Sequence, residues 1–196
     1  LNPKQLTAGL AEIIKYALIE ETVAKYTDYE RGPRPLIDLI DDLVNAPIEY
    51  DGPMLSGLIT SCIKMKLYVV QKDPHEAGIR RCLNLGHTLA HALEAQTEYG
   101  LSHGEAVAIG LYHATKFSVG QKKIEKDALV RVKEILIRAE LPYELPKGSA
   151  KDKIVNMMSV DKKRTGENIK LVLPQPKLGF VDYETSYPLS ELSKLV

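Results

Sequence analysis

Residues 80–94 read RRCLNLGHTLAHALE, and residues 102–105 read SHGE. His87 and His91 stand four positions apart, so a helix would place both rings on one face, one turn from each other. That face could present two nitrogen atoms to a single metal ion. Gly86 within such a helix would cost about 1 kcal/mol relative to alanine, so we expect another part of the chain to approach its backbone closely.

Arg80 and Arg81 lie near the predicted start of this helix. The N-terminal end of a helix carries a partial positive charge and disfavours cations. A bound anion would explain both arginines. The stretch therefore indicates a metal ion and an anionic ligand in one place.

The composition is that of an ordinary globular protein, with 44% hydrophobic and 27% charged residues among 196. The 26 basic and 26 acidic residues cancel, which argues against nucleic acid as a partner. Cys62 and Cys82 form no CxxC pair, and no apolar run approaches the roughly 20 residues that cross a membrane. We expect a reduced, cytoplasmic setting. The chain begins with Leu1 and no signal peptide, as a piece of a longer protein would.

Helical spacing of apolar residues recurs along most of the chain. The predicted helices run from Leu6 to Ile19, Leu36 to Val44, Met54 to Val70, Ala106 to Val119, Lys123 to Arg138 and Ser149 to Val160. The expected core face of the third is Leu55, Leu58, Ile59, Cys62, Met65 and Val69. Strand patterns at 169–173 and 179–181 predict a small β-hairpin, and a last short helix begins around Tyr187. The chain is predicted to be mainly α.

Several polar residues have a structural interpretation that needs no function. Glu12 and Lys15 have the spacing of a solvated ion pair on a helix, and this is the favoured reading from spacing alone. Ser102 and Glu105 have the spacing of a capping box. His113 is expected to be a core or surface histidine with its hydrogen bonds satisfied.

Catalytic zinc sites commonly use three protein ligands drawn from histidine and carboxylate and leave a position open. His87, His91 and His103 together with Glu12 could supply this set in several combinations. Spacing alone favours the pair His87 and His91.

Several blocks of the sequence together carry a more specific signal. They are 8–17 (AGLAEIIKYA), Lys66 followed by Asp73 and Glu76, 78–80 (GIR), 83–88 (LNLGHT), 91–94 (HALE), 103–107 (HGEAV) and 161–163 (DKK). In this order they resemble the C-terminal, metal- and substrate-binding domain of the 3-dehydroquinate synthase family. The resemblance implies that residues 1–196 form a single helical C-terminal domain.

The family converts 3-deoxy-arabino-heptulosonate 7-phosphate, a sugar phosphate, to 3-dehydroquinate and phosphate in the shikimate pathway of aromatic amino acid biosynthesis. Its cofactors are zinc or cobalt and NAD, which transiently oxidises the substrate. In the family the NAD-binding domain precedes the glutamate ligand, so no cofactor-binding residue for NAD is expected in this chain. The full-length enzyme is expected to be a homodimer, without a nucleic acid or membrane partner.

The resemblance also implies residue roles. The metal ligands fall on Glu12, His87 and His103, which replaces the preference for His91. Glu76 and His91 match positions that act as proton acceptors, which suits their chemistry. The residues expected around the substrate's carboxylate and phosphate are Lys15, Lys66, Arg80, Asn84 and Lys162, the last chosen over Lys163.

Three other functions compete with this one. A related sugar-phosphate cyclase shares the metal ligands, but relatives whose substrate lacks the carboxylate tend to lose the pairing of Arg80 with Asn84. A metal-dependent alcohol dehydrogenase usually has Asp at the position of Glu12 and lacks the basic cluster. A metal-binding module without catalytic activity would bind zinc tightly and show no affinity for substrate.

Overall fold

The computed structural model describes residues 3–46, 52–96, 100–160 and 167–196. The helices of these ranges are α1 (Pro3–Tyr26), α2 (Leu36–Val44), α3 (Pro53–Lys72), a 3-10 helix (Ile79–Asn84), α4 (His87–Gln96), α5 (His103–Gly120), α6 (Lys126–Arg138), α7 (Lys151–Val160), a second 3-10 helix (Leu189–Glu191) and α8 (Leu192–Leu195). The strands are β1 (Asn168–Lys170), β2 (Leu173–Pro174), β3 (Val181–Asp182) and β4 (Ser186–Pro188). The predicted mainly α fold is confirmed.

Helix α5 lies at the centre and contacts α1, α4, α6 and α8 as well as β2. The predicted burial of this helix is confirmed, since most of its side chains from Ala106 to Ser118 are shielded from solvent. The predicted capping box fixes its first residue. Glu105 N donates to Ser102 Oγ at 3.3 Å, and Ser102 N donates to Glu105 Oε2 at 2.8 Å.

Two glycines let α5 touch neighbouring backbones. A Cβ at Gly104 would lie 2.1 Å from the carbonyl oxygen of Ala8 in α1, and one at Gly110 would lie 2.0 Å from that of Gly86. Both distances are far inside van der Waals contact, so no larger residue fits without a shift of the backbone. The close approach expected at Gly86 is confirmed.

The predicted continuous helix from Arg80 to Glu94 is wrong in one respect. The chain forms the 3-10 helix Ile79–Asn84, turns at Gly86 with φ +79°, and only then begins α4 at His87. Glycine tolerates this left-handed conformation, which would be strained for most other residues. Arg80 and Arg81 therefore lie on the 3-10 helix, ahead of the helix that carries the two histidines.

Helix α3 buries one stripe against α1, α2 and the 3-10 helix. Five of its predicted core residues are buried, but Ile59 is 43% exposed. The packed face of α3 is already filled by the buried residues Leu55, Leu58, Cys62, Met65 and Val69. Ile59 lies instead on an exposed flank together with Ile63 and Leu67. Contrary to the prediction that no apolar run approaches membrane-spanning length, α3 is long and apolar enough to cross a membrane, although a single such helix is weak evidence.

The C-terminal strands form two short antiparallel pairs instead of the single predicted hairpin. β2 pairs with β3, which matches the ends of the predicted hairpin, whereas β1 pairs with β4. Pro174 has no N–H to donate, but Gln175 N donates to the carbonyl oxygen of Phe180 at 3.0 Å just beyond this pair. Tyr187 lies in β4, and the last helical segment begins at Leu189. Of the two predicted alternatives for His113, core or surface, the structure shows the core: the side chain is buried, with Nδ1 2.7 Å from the carbonyl oxygen of Leu195.

We predict that Gly110→Ala destabilises the chain by about 3 kcal/mol or more, because its Cβ would overlap the backbone at Gly86. Gly57→Ala is the matched control, since an added Cβ there meets nothing within 4 Å inside α3. That change should stabilise by about 0.5–1 kcal/mol through helix propensity. Urea denaturation followed by circular dichroism measures both, and equal effects would contradict the close contact.

Candidate active site

Three side chains that the sequence separates widely meet at one point. Glu12 lies in the middle of α1, His87 is the first residue of α4, and His103 is the first residue of α5. One donor atom from each lies within 4.8 Å of the other two. Glu12 Oε1 is 3.7 Å from His87 Nε2 and 3.7 Å from His103 Nε2.

The backbone contacts of α5 explain this convergence. Gly104 follows His103 directly and touches α1 at Ala8, one helical turn before Glu12. Gly86 directly precedes His87 and touches α5 at Gly110. The two contacts hold the starts of α4 and α5 against the middle of α1.

Each histidine is oriented through its other ring nitrogen. His87 Nδ1 lies 3.0 Å from the carbonyl oxygen of Leu85, and His103 Nδ1 lies 3.1 Å from Glu94 Oε1. Both partners are acceptors, so they favour a proton on Nδ1 and leave the Nε2 lone pair facing Glu12. Such outer partners are typical of histidines that bind metals.

The two carboxylate oxygens of Glu12 have different surroundings. Lys15 Nζ donates to Oε2 at 2.6 Å, whereas Oε1 is buried and has no hydrogen-bond partner within the described residues. The ion pair predicted from spacing forms, but it is not solvated as expected, because Lys15 is only 4% exposed. A buried, unpartnered carboxylate oxygen that faces two imidazole lone pairs fits a divalent cation.

The protonation states agree with this fit. Burial alone would raise the pKa of Glu12, but Lys15 and then the two histidines lower it below its ordinary value. Burial lowers the pKa of His87, and the charge of Lys15 lowers it further. An ionised carboxylate and a neutral imidazole are the forms that bind metal.

The loop before the 3-10 helix is held by Asp73. Its carboxylate accepts hydrogen bonds from the backbone N–H groups of Ala77, Gly78 and Arg80 at 2.9, 2.7 and 3.0 Å. Burial acts to raise the pKa of Asp73, but these donors lower it overall. The loop presents Glu76 with φ +56°, and Glu76 Oε1 accepts a hydrogen bond from Asn84 Nδ2.

The remaining predicted site residues are placed as follows. Arg80 Nη1 donates to the carbonyl oxygen of Pro74 at 2.8 Å, so part of its guanidinium supports the loop. His91 is exposed, and its ring centroid is 5.6 Å from that of His87, outside the three-residue cluster. Lys66 is exposed on α3 and makes no ion pair in the described ranges. Lys162 and Lys163 lie outside the described residues.

Two features of the site were not assigned from the sequence. Glu94 is the partner of His103, and its position seven residues after His87 on a helix was the available signal, because that spacing returns to the same face. An open cavity of about 480 Å³ also adjoins Glu76 and Asn84 and is lined by Arg81 rather than Arg80. Its other walls come from Thr88 of α4 and from residues 168–186, and sequence spacing could not show that this C-terminal segment lies beside the 3-10 helix.

Comparison with known proteins gives a family match over most of the chain. The family model for the C-terminal part of 3-dehydroquinate synthase matches residues 9–164. The chain is 35% identical over 184 residues to 3-dehydroquinate synthase from Legionella pneumophila strain Corby, covering 93% of this chain and 47% of that protein. It is 34% identical over 182 residues to the enzyme from Acetivibrio thermocellus, covering 92% and 47%. It thus spans about half the length of these curated relatives.

Two solved structures share the fold. One is 2-epi-5-epi-valiolone synthase from Streptomyces hygroscopicus subsp. jinggangensis with NAD+ and Zn²⁺ bound, with TM-score 0.80, 21% identity, and coverage of 100% of this chain and 51% of that one. The other is 2-deoxy-scyllo-inosose synthase with carbaglucose-6-phosphate, NAD+ and Co²⁺, with TM-score 0.76, 24% identity, and coverage of 98% and 51%.

The metal ligand set is tested by single substitutions. We predict that His87→Ala and His103→Ala each abolish stoichiometric zinc binding, because each removes one of three converging donors. His91→Ala should spare it, since that ring lies outside the cluster. Metal analysis after dialysis gives the zinc content. If the His91 variant loses zinc as completely as the His87 variant, the assignment is wrong.

Glu94 is predicted to position a ligand without binding the metal. Glu94→Gln keeps the shape but removes the charge beside His103 Nδ1, and we expect zinc affinity to fall about tenfold. Glu134→Gln is the control, because Glu134 pairs with Arg138 on the surface of α6. Competition with a chelator measures both affinities. An unchanged affinity in the Glu94 variant would show that the contact with His103 does not act on the metal.

Proposed function

Because the chain belongs to the 3-dehydroquinate synthase C-terminal family, we propose that it is the metal- and substrate-binding part of a 3-dehydroquinate synthase. The reaction converts 3-deoxy-arabino-heptulosonate 7-phosphate to 3-dehydroquinate with loss of phosphate. The observation that supports this most directly is the cluster of Glu12, His87 and His103 around one unpartnered carboxylate oxygen.

Zinc, or cobalt, would be held by these three side chains, and when bound it supplies a Lewis acid that polarises substrate oxygens. Lys15 keeps Glu12 Oε2 occupied, so the carboxylate offers its other oxygen to the ion. Glu94 and the carbonyl oxygen of Leu85 hold the two imidazoles in place. Three such side chains meet within the described residues, so a metal ion held by them would keep a coordination position open for substrate.

Glu76 and His91 are the proposed proton acceptors. Glu76 lines the cavity and accepts a hydrogen bond from Asn84, and its positive φ is uncommon outside glycine. His91 is exposed beside His87, so it can reach a substrate without binding the metal. Both side chains are exposed, which supports the proposal that they accept protons from a bound sugar phosphate.

The proposed substrate carries a carboxylate and a phosphate, and both need cationic or amide donors. The proposed binding residues are Lys15, Lys66, Arg80, Asn84 and Lys162. Arg80 uses one Nη1 hydrogen bond for the carbonyl of Pro74, which leaves most of its donors for a carboxylate. A guanidinium can hold a carboxylate with two parallel hydrogen bonds, which an ammonium cannot.

NAD is proposed to bind to the part of the enzyme that this chain does not contain. Dinucleotide sites are built on a parallel βαβ unit with a Gly-rich turn. The strands of the described ranges pair only antiparallel, and no such turn occurs in them. The chain covers 47% of the curated relatives, which leaves room in those proteins for an NAD-binding part.

The test is phosphate release by the chain joined to the N-terminal half of a relative. We predict turnover of the heptulosonate phosphate with zinc and NAD, no turnover of glucose 6-phosphate, and neither NAD binding nor turnover by the chain alone. Turnover of glucose 6-phosphate but not of the heptulosonate phosphate would instead indicate a cyclase whose substrate lacks a carboxylate. Turnover by the chain alone would disprove the proposed division of the enzyme.

The same assay tests Arg80. We predict that Arg80→Lys raises the KM for the heptulosonate phosphate about tenfold, because lysine lacks the forked donors for a carboxylate. Arg138→Lys on the surface of α6 is the matched control and should leave the KM unchanged. An unchanged KM in the Arg80 variant would contradict direct contact with the substrate.

A further inference from the structure

Asp73 ends α3 and also holds the start of the 3-10 helix. Its backbone N–H donates to the carbonyl oxygen of Val69 at 3.0 Å, in the last turn of α3. Its carboxylate accepts the N–H groups of Ala77, Gly78 and Arg80, where the 3-10 helix begins. The dipole of a helix disfavours an anion at the C-terminal end, so α3 gains no stability from this side chain. The carboxylate therefore serves the loop that follows it.

This loop has few other contacts that could fix its conformation. Residues 74–77 are all exposed, so buried packing does not hold them. Asp73 is only 9% exposed, which shields its hydrogen bonds from competing water. The side chain of Arg80 adds one hydrogen bond, from Nη1 to the carbonyl oxygen of Pro74 at 2.8 Å. Within the described residues, Asp73 makes more hydrogen bonds to this loop than any other residue does.

The backbone of Glu76, in the middle of the loop, is strained. Its φ of +56° is a left-handed conformation that glycine adopts readily and residues with a Cβ do not. Two of the three N–H groups that Asp73 accepts belong to the two residues directly after Glu76. The chain must turn at Glu76 before both groups can point at one carboxylate, and turns of this kind commonly surround anions. The hydrogen bonds of Asp73 thus offset the strain at Glu76.

We propose that Asp73 is a positioning residue, which holds the strained backbone of Glu76 so that the Glu76 carboxylate faces the cavity. Glu76 lines that cavity, and Asn84 holds its Oε1 by a hydrogen bond. Without the carboxylate of Asp73, the backbone at Glu76 relaxes to negative φ and its side chain leaves the cavity wall. The task of Glu76 as a proton acceptor rests on the proposed function, whereas the hold of Asp73 on the loop does not.

The first experiment measures the strain without any substrate. Glu76→Gly and Glu76→Ala both remove the side chain and its hydrogen bond to Asn84, so the difference between them reports the backbone conformation. With Asp73 in place, the glycine variant should melt about 2 °C higher than the alanine variant, because glycine accepts a positive φ. In the Asp73→Ala background the alanine variant should melt at least as high as the glycine variant. Thermal unfolding followed by circular dichroism gives all four melting temperatures.

Two outcomes of this experiment would overturn the proposal. One is an equal advantage of glycine in both backgrounds, and the other is no advantage of glycine with Asp73 in place. Asp73→Asn, which keeps the size of the side chain but loses one acceptor oxygen, replaces Asp73→Ala if that variant does not fold. Asp152→Asn is the matched control, because Asp152 is exposed in the first turn of α7, and it should preserve the advantage of glycine.

The second experiment links the loop to the reaction. In the joined enzyme, Asp73→Asn should lower kcat for the heptulosonate phosphate about tenfold and raise the KM less than threefold. The proton acceptor is then displaced, while the binding groups on the 3-10 helix remain. The zinc content should stay stoichiometric, because the three proposed ligands lie on α1, α4 and α5. Asp152→Asn should leave kcat and KM unchanged.

The contrary outcomes separate the two parts of the proposal. An unchanged kcat in the Asp73→Asn enzyme would disprove the role of Asp73 in the reaction, and a loss of zinc in step with kcat would show general structural damage instead of positioning. An inactive joined enzyme with Asp73 in place would disprove the proposed function. The melting temperatures of the Glu76 variants would still decide whether Asp73 holds the loop.

Discussion

The close contact of α5 with two neighbouring backbones is the constraint on which the candidate site depends. Gly104 touches α1 at Ala8, and Gly110 touches the turn at Gly86. A Cβ at either position would lie about 2 Å from a carbonyl oxygen, so packing would have to open by more than an ångström. The donors of Glu12, His87 and His103 lie within 4.8 Å of one another and could not keep that spacing. The close packing at Gly104 and Gly110 thus sets the distances between the three donor side chains.

Charge imposes the second constraint. Lys15 is buried, and a buried ammonium requires a close anionic partner. Glu12 supplies it with one oxygen and turns the other toward the histidines. The same carboxylate therefore stabilises a buried cation and completes the three-residue cluster. Because Glu12 has both roles, its ion pair with Lys15 differs from the solvated surface pair that the i, i+3 spacing predicts.

Much of the fold could be predicted from the sequence, because the spacing of apolar residues indicates which helix faces are buried. Helix α2 was predicted with the bounds that the structure shows, and α5 with its burial and its cap. Spacing does not record backbone dihedral angles, so the break at Gly86 was missed although a close approach there was expected. Nor could spacing bring Glu12 to His87 and His103, which are far apart in the chain. Only the family resemblance indicated that set, and spacing alone favoured His91.

The exposure of the three side chains indicates the side from which a substrate could reach the cluster. The His87 side chain is 14% exposed, that of Glu12 34%, and that of His103 49%, so the cluster opens on the side of His103. Within the described residues, the better-shielded ligands of a metal ion there would be Glu12 of α1 and His87 of α4. Chemistry that transiently oxidises a substrate requires exclusion of water. Under the proposed function, we therefore expect the surface beside His103 to be covered during the reaction by the NAD-binding part of the full-length enzyme.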